Sequence, residues 1–199
     1  MVMVIGILAL QGNIREHRDN LERHGVHSRY IKKPADLNGI DGLVLPGGES
    51  TAMRRLIVSC GLKGPVQDLI GQGMPIWGTC AGVVLLAQGG VWPCVDIQLD
   101  RNAYGSQLNS RIVNGTSTIS DKETRMVFIR SPKIRSAGAS VEVLSSLNGD
   151  IVAVRRHNIL LTTFHPELIQ DSPFTAYFIN MAEMSGRSGC ERKRDYCRI

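Results

Sequence analysis

Cys80 stands in the run Met74-Pro75-Ile76-Trp77-Gly78-Thr79-Cys80-Ala81-Gly82-Val83-Val84-Leu85-Leu86-Ala87. The run reads as a short buried strand, a sharp turn carrying one cysteine, and an apolar helix. Glycines two positions either side of the cysteine make a G-x-C-x-G spacing, the thiol counterpart of the nucleophile elbow. A Cβ at Gly78 or Gly82 would crowd such a turn. The sulfur would sit at a helix N-terminus, where unpaired N–H groups favour thiolate over thiol. A buried structural cysteine beside packing glycines is the plainer reading of these residues alone.

Leu160-Leu161-Thr162-Thr163-Phe164-His165-Pro166-Glu167-Leu168 supplies what a nucleophilic cysteine lacks. An apolar, β-rich run delivers a histidine and, two residues later, a carboxylate. A thiol needs a base within hydrogen-bond reach, and the base needs an orienting group. Pro166 cannot continue a strand ladder, so the strand is expected to end there and leave His165 at its tip. A lone histidine at a strand end is most often structural; paired with Cys80 it becomes a catalytic candidate. Leu43-Val44-Leu45-Pro46-Gly47-Gly48-Glu49-Ser50-Thr51 is a third element, a buried strand entering a Pro-Gly-Gly turn and a helix. Two glycines let backbone N–H groups approach a ligand closely, as an oxyanion hole requires.

Alternating strands and helices must position these groups. Val2–Leu10 reads as a strand and Ile14–His24 as an amphipathic helix closed by Gly25. Ser28–Lys32 and Gly42–Leu45 read as short strands, followed by helices over Thr51–Ser59 and Pro65–Gln72. The pattern predicts an α/β fold: a doubly wound, mostly parallel sheet with helices on both faces and function at the strand C-terminal ends. Its character changes after Gly115. Val141–Leu144, Ile151–Arg155 and Ile159–Phe164 are joined by Asn148-Gly149 and His157-Asn158, which predict antiparallel hairpins. A last helix is expected over Phe174–Met184. Residues 1–186 are read as one domain, and 187–199, with Arg187, Arg192, Lys193, Arg194 and Arg198, as a basic, solvated terminus.

The 199 residues are 43% hydrophobic, enough for a core of their own. No run of about 18 apolar residues marks a membrane span, and Met1–Leu10 lacks the features of a signal peptide. Five cysteines without CxxC or metal-like spacing predict a reducing, cytoplasmic setting with no metal and no disulfide framework. The net charge of +5 comes largely from the terminus and lacks the aromatic interleaving of a nucleic-acid platform. Neither a nucleic acid nor a membrane is an expected partner, and no cofactor is expected.

PGGES, GTCAG and FHPE, in this order, resemble the class I, triad-type glutamine amidotransferases of flavodoxin-like fold. Leu10-Gln11-Gly12 with Arg15-Glu16-His17, Arg101-Asn102-Ala103-Tyr104-Gly105, Phe128-Ile129-Arg130-Ser131-Pro132 and Leu168 narrow the resemblance to the glutaminase subunits of pyridoxal 5′-phosphate synthase. It runs to about Phe178. The segment between Leu86 and Arg101 looks shorter than in that family, and Arg187 to Ile199 has no counterpart.

The resemblance implies a Cys80, His165, Glu167 triad that hydrolyses L-glutamine to glutamate and ammonia. It places substrate contacts on Gly48, Glu49, Ser50, Arg101, Ile129 and Arg130. Glu49 suits the ammonium of glutamine, and Arg101 and Arg130 its carboxylate. Backbone N–H groups of Gly48 and Ala81 are the expected oxyanion donors. The implied partner is a (β/α)₈ synthase barrel that uses the ammonia to build pyridoxal 5′-phosphate. Gln11-Gly12 and Arg15-Glu16-His17 are the expected contact, and the Gly47–Gly48 turn a switch it acts on. Alternatives are a glutaminase of another pathway, such as histidine biosynthesis, or a related α/β cysteine peptidase or chaperone. The last two usually place histidine directly after the elbow cysteine, where this chain has Ala81. A non-enzymatic scaffold would be expected to have lost a triad member.

Overall fold

Gly42-Leu43-Val44-Leu45 is buried at all four positions. Successive strand residues face opposite sides, so a strand buried throughout needs cover on both. Leu43 and Leu45 pack with Met53, Ile57, Val66 and Val83, whereas Val44 packs with Leu21, Phe174 and Phe178. In the computed structural model, residues 2–100 and 110–196 are described, with side chains described through residue 186. They form a central sheet between two layers of helices.

The N-terminal half contributes strands β1 (Val4–Leu8), β2 (His27–Ile31), β3 (Gly42–Leu45) and β4 (Ile76–Thr79). Between and after them run helices α1 (Ile14–Arg23), α2 (Ser50–Ser59), α3 (Lys63–Gly71) and α4 (Ala81–Leu86). The remainder supplies β5 (Ile97–Asp100), β6 (Arg111–Ser117), β7 (Ser120–Phe128), β8 (Lys133–Ala137), β9 (Glu142–Leu147), β10 (Asp150–Arg156), β11 (Ile159–Thr162) and α5 (Pro173–Tyr196). The sheet order is β2-β1-β3-β4-β11-β10-β8-β5, with β9 also on β10 and with β6–β7 as a separate hairpin. Contacts from β2 through β11 are parallel, and those around β10, β8 and β5 are antiparallel.

The expected α/β architecture with C-terminal hairpins is therefore what the chain forms. Asn148 and Gly149, at φ 52° and 85°, close β9 onto β10 in the left-handed conformation that two-residue hairpin turns need. Register shifts flank Ala153 in β10, and a bulge of this kind lets Val152 and Ala153 share one core cluster. Three details depart from expectation. β1 is shorter than Val2–Leu10 because its ends leave the ladder with β2. Four strands, β5 to β8, lie where the sequence shows no clear alternation. The final helix extends past Met184 to Tyr196, since no proline follows Pro173 to stop it.

The short segment after α4 is folded back onto the core. Trp92 is fully buried and its indole N–H donates to the Lys63 carbonyl at 2.9 Å. The backbone N–H groups of Trp92 and Val95 donate to the free carbonyls of Leu85 and Leu86, so the loop itself terminates the helix.

Close backbone packing around β4 gives a stability test. A Cβ on Gly82 would overlap the Leu45 carbonyl oxygen, with the carbonyl carbon at 3.2 Å, whereas Gly64 on α3 has no atom within 4 Å of that position. Gly82→Ala is expected to lower stability by about 1–3 kcal/mol through overpacking. Gly64→Ala is expected to be neutral or stabilising by up to about 1 kcal/mol. Urea midpoints of the two variants check the contrast; equal midpoints would contradict it.

Candidate active site

β4 lies between β3 and β11, its parallel neighbours, and Cys80 follows directly after its last residue. Cys80 adopts φ 48°, ψ −100°, a conformation that costs an L-residue on the order of 1–3 kcal/mol. Its N–H donates to the Thr162 carbonyl of β11 at 2.9 Å. Gly78 and Gly82 face each other across the turn: a Cβ on Gly78 would meet the Gly82 carbonyl at 2.8–2.9 Å. The spacing of glycines around the cysteine thus reflects the elbow's geometry, as expected.

β11 delivers His165 beside this turn, and a short 3₁₀ turn at Pro166–Leu168 folds Glu167 back under it. Cys80, His165 and Glu167 are 6%, 4% and 2% exposed, so their electrostatics act in a medium poorer than water. His165 Nδ1 lies 2.7 Å from Glu167 Oε1. An ionised carboxylate accepts only, so the Nδ1 proton points to Glu167 and Nε2 is left to exchange a proton with another group. His165 Nε2 has no hydrogen-bond partner among the described residues. Burial alone would pull the His165 pKa down; Cys80 and Glu167 outweigh it and raise it to about 10. Glu167 is held below the ordinary carboxylate range: burial pushes it up, and His17 and His165 more than reverse that.

Further residues join the site from α1 and the loop before it. Asn13 occupies the helix N-cap position without a side-chain cap bond, and its amide instead donates to Glu167 Oε1 at 3.1 Å. His17 approaches Glu167 Oε2 at 3.5 Å. Asn20 donates to the Ile169 carbonyl at 3.0 Å. Positions 13, 17 and 20 share one helical face, which clamps the His165–Glu167 turn. His17 is 1% exposed, so it faces the site instead of the partner surface expected for it; Arg15 and Glu16 are exposed.

A cleft of about 660 Å³ opens over the cysteine, with Gly48, Glu49, Ser50, Cys80, Ala81, Ile129, Arg130 and His165 among its lining residues. Every expected site residue within the described range except Glu167 borders it, and Glu167 lies beneath. Arg101 lies outside the described residues. Gln11 also lines the cleft, and its side-chain carbonyl accepts from the Glu49 N–H at 2.7 Å. The Glu49 carboxylate caps α2 by accepting from the Thr51 and Ala52 N–H groups at 3.0 and 2.7 Å. A capping carboxylate is fixed in direction, which suits it to present negative charge at the cleft rim. Arg130 sits at φ 47°, which turns the chain sharply at the cleft wall. The Gly47 carbonyl accepts from the Asn13 N–H at 3.1 Å. With a trans peptide, the Gly48 N–H then points away from Asn13.

A thiol on a strained elbow, a buried imidazole–carboxylate pair and a glycine turn thus meet at one cleft. The chain belongs to the SNO glutamine amidotransferase family, whose sequence profile matches residues 7–184. It is 46% identical over 181 residues to the pyridoxal 5′-phosphate synthase subunit PdxT of Caldicellulosiruptor saccharolyticus, covering 88% of this chain and 96% of that protein. It is 43% identical over 195 residues to the PdxT of Bacillus licheniformis, covering 94% and 98%. A solved structure described as a glutamine amidotransferase superposes with a TM-score of 0.84 at 34% identity, covering 90% of this chain and 98% of that one.

The raised His165 pKa carries a stability consequence. A group whose folded pKa lies above its unfolded value of 6.5 stabilises the fold fully below 6.5, and that contribution is lost as pH rises to about 10. The melting temperature of the wild type relative to His165→Gln is therefore expected to fall steadily across this window. A difference that stays constant with pH would contradict the assignment.

Proposed function

We propose that this chain is the glutaminase subunit of a pyridoxal 5′-phosphate synthase, hydrolysing L-glutamine to glutamate and ammonia. The observation that carries the reading is the convergence of Cys80 and His165 on one cleft with Glu167 bonded to His165 beneath it, in a chain more than 40% identical to PdxT proteins over most of its length.

The geometry of the described residues supports the following chemistry. His165 Nε2 holds the proton given up by Cys80, and the thiolate attacks the side-chain amide carbon of glutamine. The oxygen that becomes negative meets the N–H groups of Gly48 and Ala81; one such donor is worth about 3 kcal/mol in the transition state. His165 returns its proton to the departing ammonia. It then activates water against the glutamyl thioester, and hydrolysis frees glutamate and Cys80. Glu167 holds the tautomer this sequence needs and stabilises the imidazolium. Glu49 pairs with the substrate ammonium, Arg130 and Arg101 with its carboxylate, and Ser50 and the Ile129 backbone complete the contact.

The partner is a synthase subunit of (β/α)₈ barrel fold that consumes the ammonia. It docks on the Gln11-Gly12 loop with the exposed Arg15 and Glu16, in the reducing cytoplasm that the unpaired Cys60, Cys80 and Cys94 favour. Two hydrogen bonds from this loop, Asn13 N–H to the Gly47 carbonyl and Glu49 N–H to the Gln11 side chain, link that surface to the oxyanion turn. Losing one costs only about 1 kcal/mol net, within reach of a docking partner. Residues 187–199 form a basic extension beyond the amidotransferase domain of 1–186.

Cys80→Ala is expected to abolish glutamate release by the complex with the synthase while leaving complex formation intact on gel filtration. Turnover above a few per cent of wild type would overturn the nucleophile assignment. Cys60→Ser and Cys94→Ser should be kinetically silent. Glu49→Gln and Arg130→Ala should each raise the KM for glutamine on the order of tenfold. A loss confined to kcat would instead assign them to the transition state.

A further inference from the structure

The two carboxylate oxygens of Glu167 are served unequally. Oε1 accepts from His165 Nδ1 at 2.7 Å and from the Asn13 amide at 3.1 Å. Oε2 is buried and has no hydrogen bond among the described residues; His17 Nε2 approaches it at 3.5 Å. The same nitrogen lies 3.1 Å from the hydroxyl of Thr79, the residue that precedes Cys80. A buried carboxylate oxygen without a donor is costly, so a ring nitrogen at this place has a defined chemical task.

We propose that His17 is a positioning residue for the reaction: its Nε2–H, shared between Thr79 Oγ1 and Glu167 Oε2, orients the triad carboxylate against the elbow strand. This rests on the glutaminase reading above.

The argument begins with the tautomer. An Nε2 lone pair directed at a carboxylate would be repelled, so the Glu167 charge selects the neutral ring protonated at Nε2. The ring is held in this orientation by packing edge-on to Trp77, with centroids 5.6 Å apart and planes at 81°. Burial keeps it neutral: it lowers the His17 pKa more than Glu167 raises it, with His165 lowering it further and Glu16 raising it. The charged and titratable groups around His17 are thus Glu167 and His165 from the turn after β11 and Glu16 from α1 itself. Cys80 stands beyond Thr79 at the end of β4. His17 acts on Glu167 as a dipole, and the one cation the carboxylate then faces is the His165 imidazolium. Hydrogen bonds of this kind are often long in resting enzymes and shorten in the reacting complex. Three donors from two elements fix Glu167: Asn13 and His17 from α1 and its cap, and His165 from the turn. The 3.1 Å contact with Thr79 ties that assembly to the backbone that sets the Cys80 sulfur.

The test uses the complex with the synthase and two variants, His17→Met, which keeps the volume without the donor, and His17→Gln, whose amide nitrogen reaches a similar position. His17→Met is expected to lower kcat on the order of tenfold or more with KM for glutamine changed less than about twofold. It should also move the acid limb of the pH–rate profile to higher pH, because Glu167 loses a neighbour that favours its charged form. His17→Gln should restore both rate and limb. A His17→Met enzyme with wild-type rate and profile, or a His17→Gln enzyme as impaired as His17→Met, would overturn the proposal. Because His17→Met can fail to fold, ¹⁵N NMR of the wild-type imidazoles provides an independent arm. His17 is expected to stay neutral and protonated at Nε2 through the range around 6.5 where an ordinary histidine titrates. A proton on Nδ1, or ordinary titration, overturns the assignment. A wild-type complex that releases no glutamate would instead refute the glutaminase reading, while a wrong tautomer with normal turnover refutes this inference alone.

Discussion

The structure depends on a single backbone constraint: Cys80 must turn through φ 48° at the end of a buried parallel strand. Only dense support on all sides can hold an L-residue there. β3 and β11 grip β4 from either side, and the Thr162 carbonyl takes the Cys80 N–H. Gly82 then brings α4 against the Leu45 carbonyl so closely that a methyl group would not fit. Gly47 approaches both the His165 and Cys80 side chains: a Cβ there would overlap the His165 ring and lie 3.3 Å from the Cys80 Cβ. The strain of the elbow and the absence of side chains around it are two aspects of one packing requirement.

From that constraint the division of labour in the fold follows. Parallel strands β3, β4 and β11 end at the same edge, so the glycine turn, the thiol and the imidazole emerge together without any long loop to order. The helices on one face, α2, α3 and α4, share a core cluster with Trp92. α1 and α5 cover the other face through Leu21, Phe174 and Phe178. α1 is also the element that reaches the carboxylate, through Asn13 and His17. Asn13 at its cap and His17 on its buried face are polar where an ordinary amphipathic helix would be apolar, because their neighbour is a charged group that must not be left unpaired.

The parts of this arrangement that were legible in the sequence are those written in local spacing. Gly78-x-Cys80-x-Gly82 encodes a turn, Pro166 ends a strand between base and carboxylate, and Asn148-Gly149 encodes a hairpin. Each is a rule about neighbours along the chain. Asn13 and His17 were not legible as site residues, since their partners lie about 150 residues away and nothing local distinguishes a buried polar residue from an exposed one. Their placement on the helix stripe that also holds Leu21 was the available signal, because polar groups in a buried stripe need a partner. Strands β6 and β7 were missed for a different reason. Their hairpin is half exposed, with Asn114, Gly115, Asp121 and Lys122 along it, and such strands are defined by pairing more than by composition.

The central claim is that the Cys80 sulfur carries the glutamyl group during turnover. Its most direct test is acid quenching of the wild-type complex with the synthase during steady-state glutamine hydrolysis, followed by peptide mapping by mass spectrometry. The account predicts one glutamyl group on the peptide containing Cys80, removable by hydroxylamine as a thioester is, and none on peptides containing the other cysteines. Turnover with the glutamyl group on a different residue would contradict it.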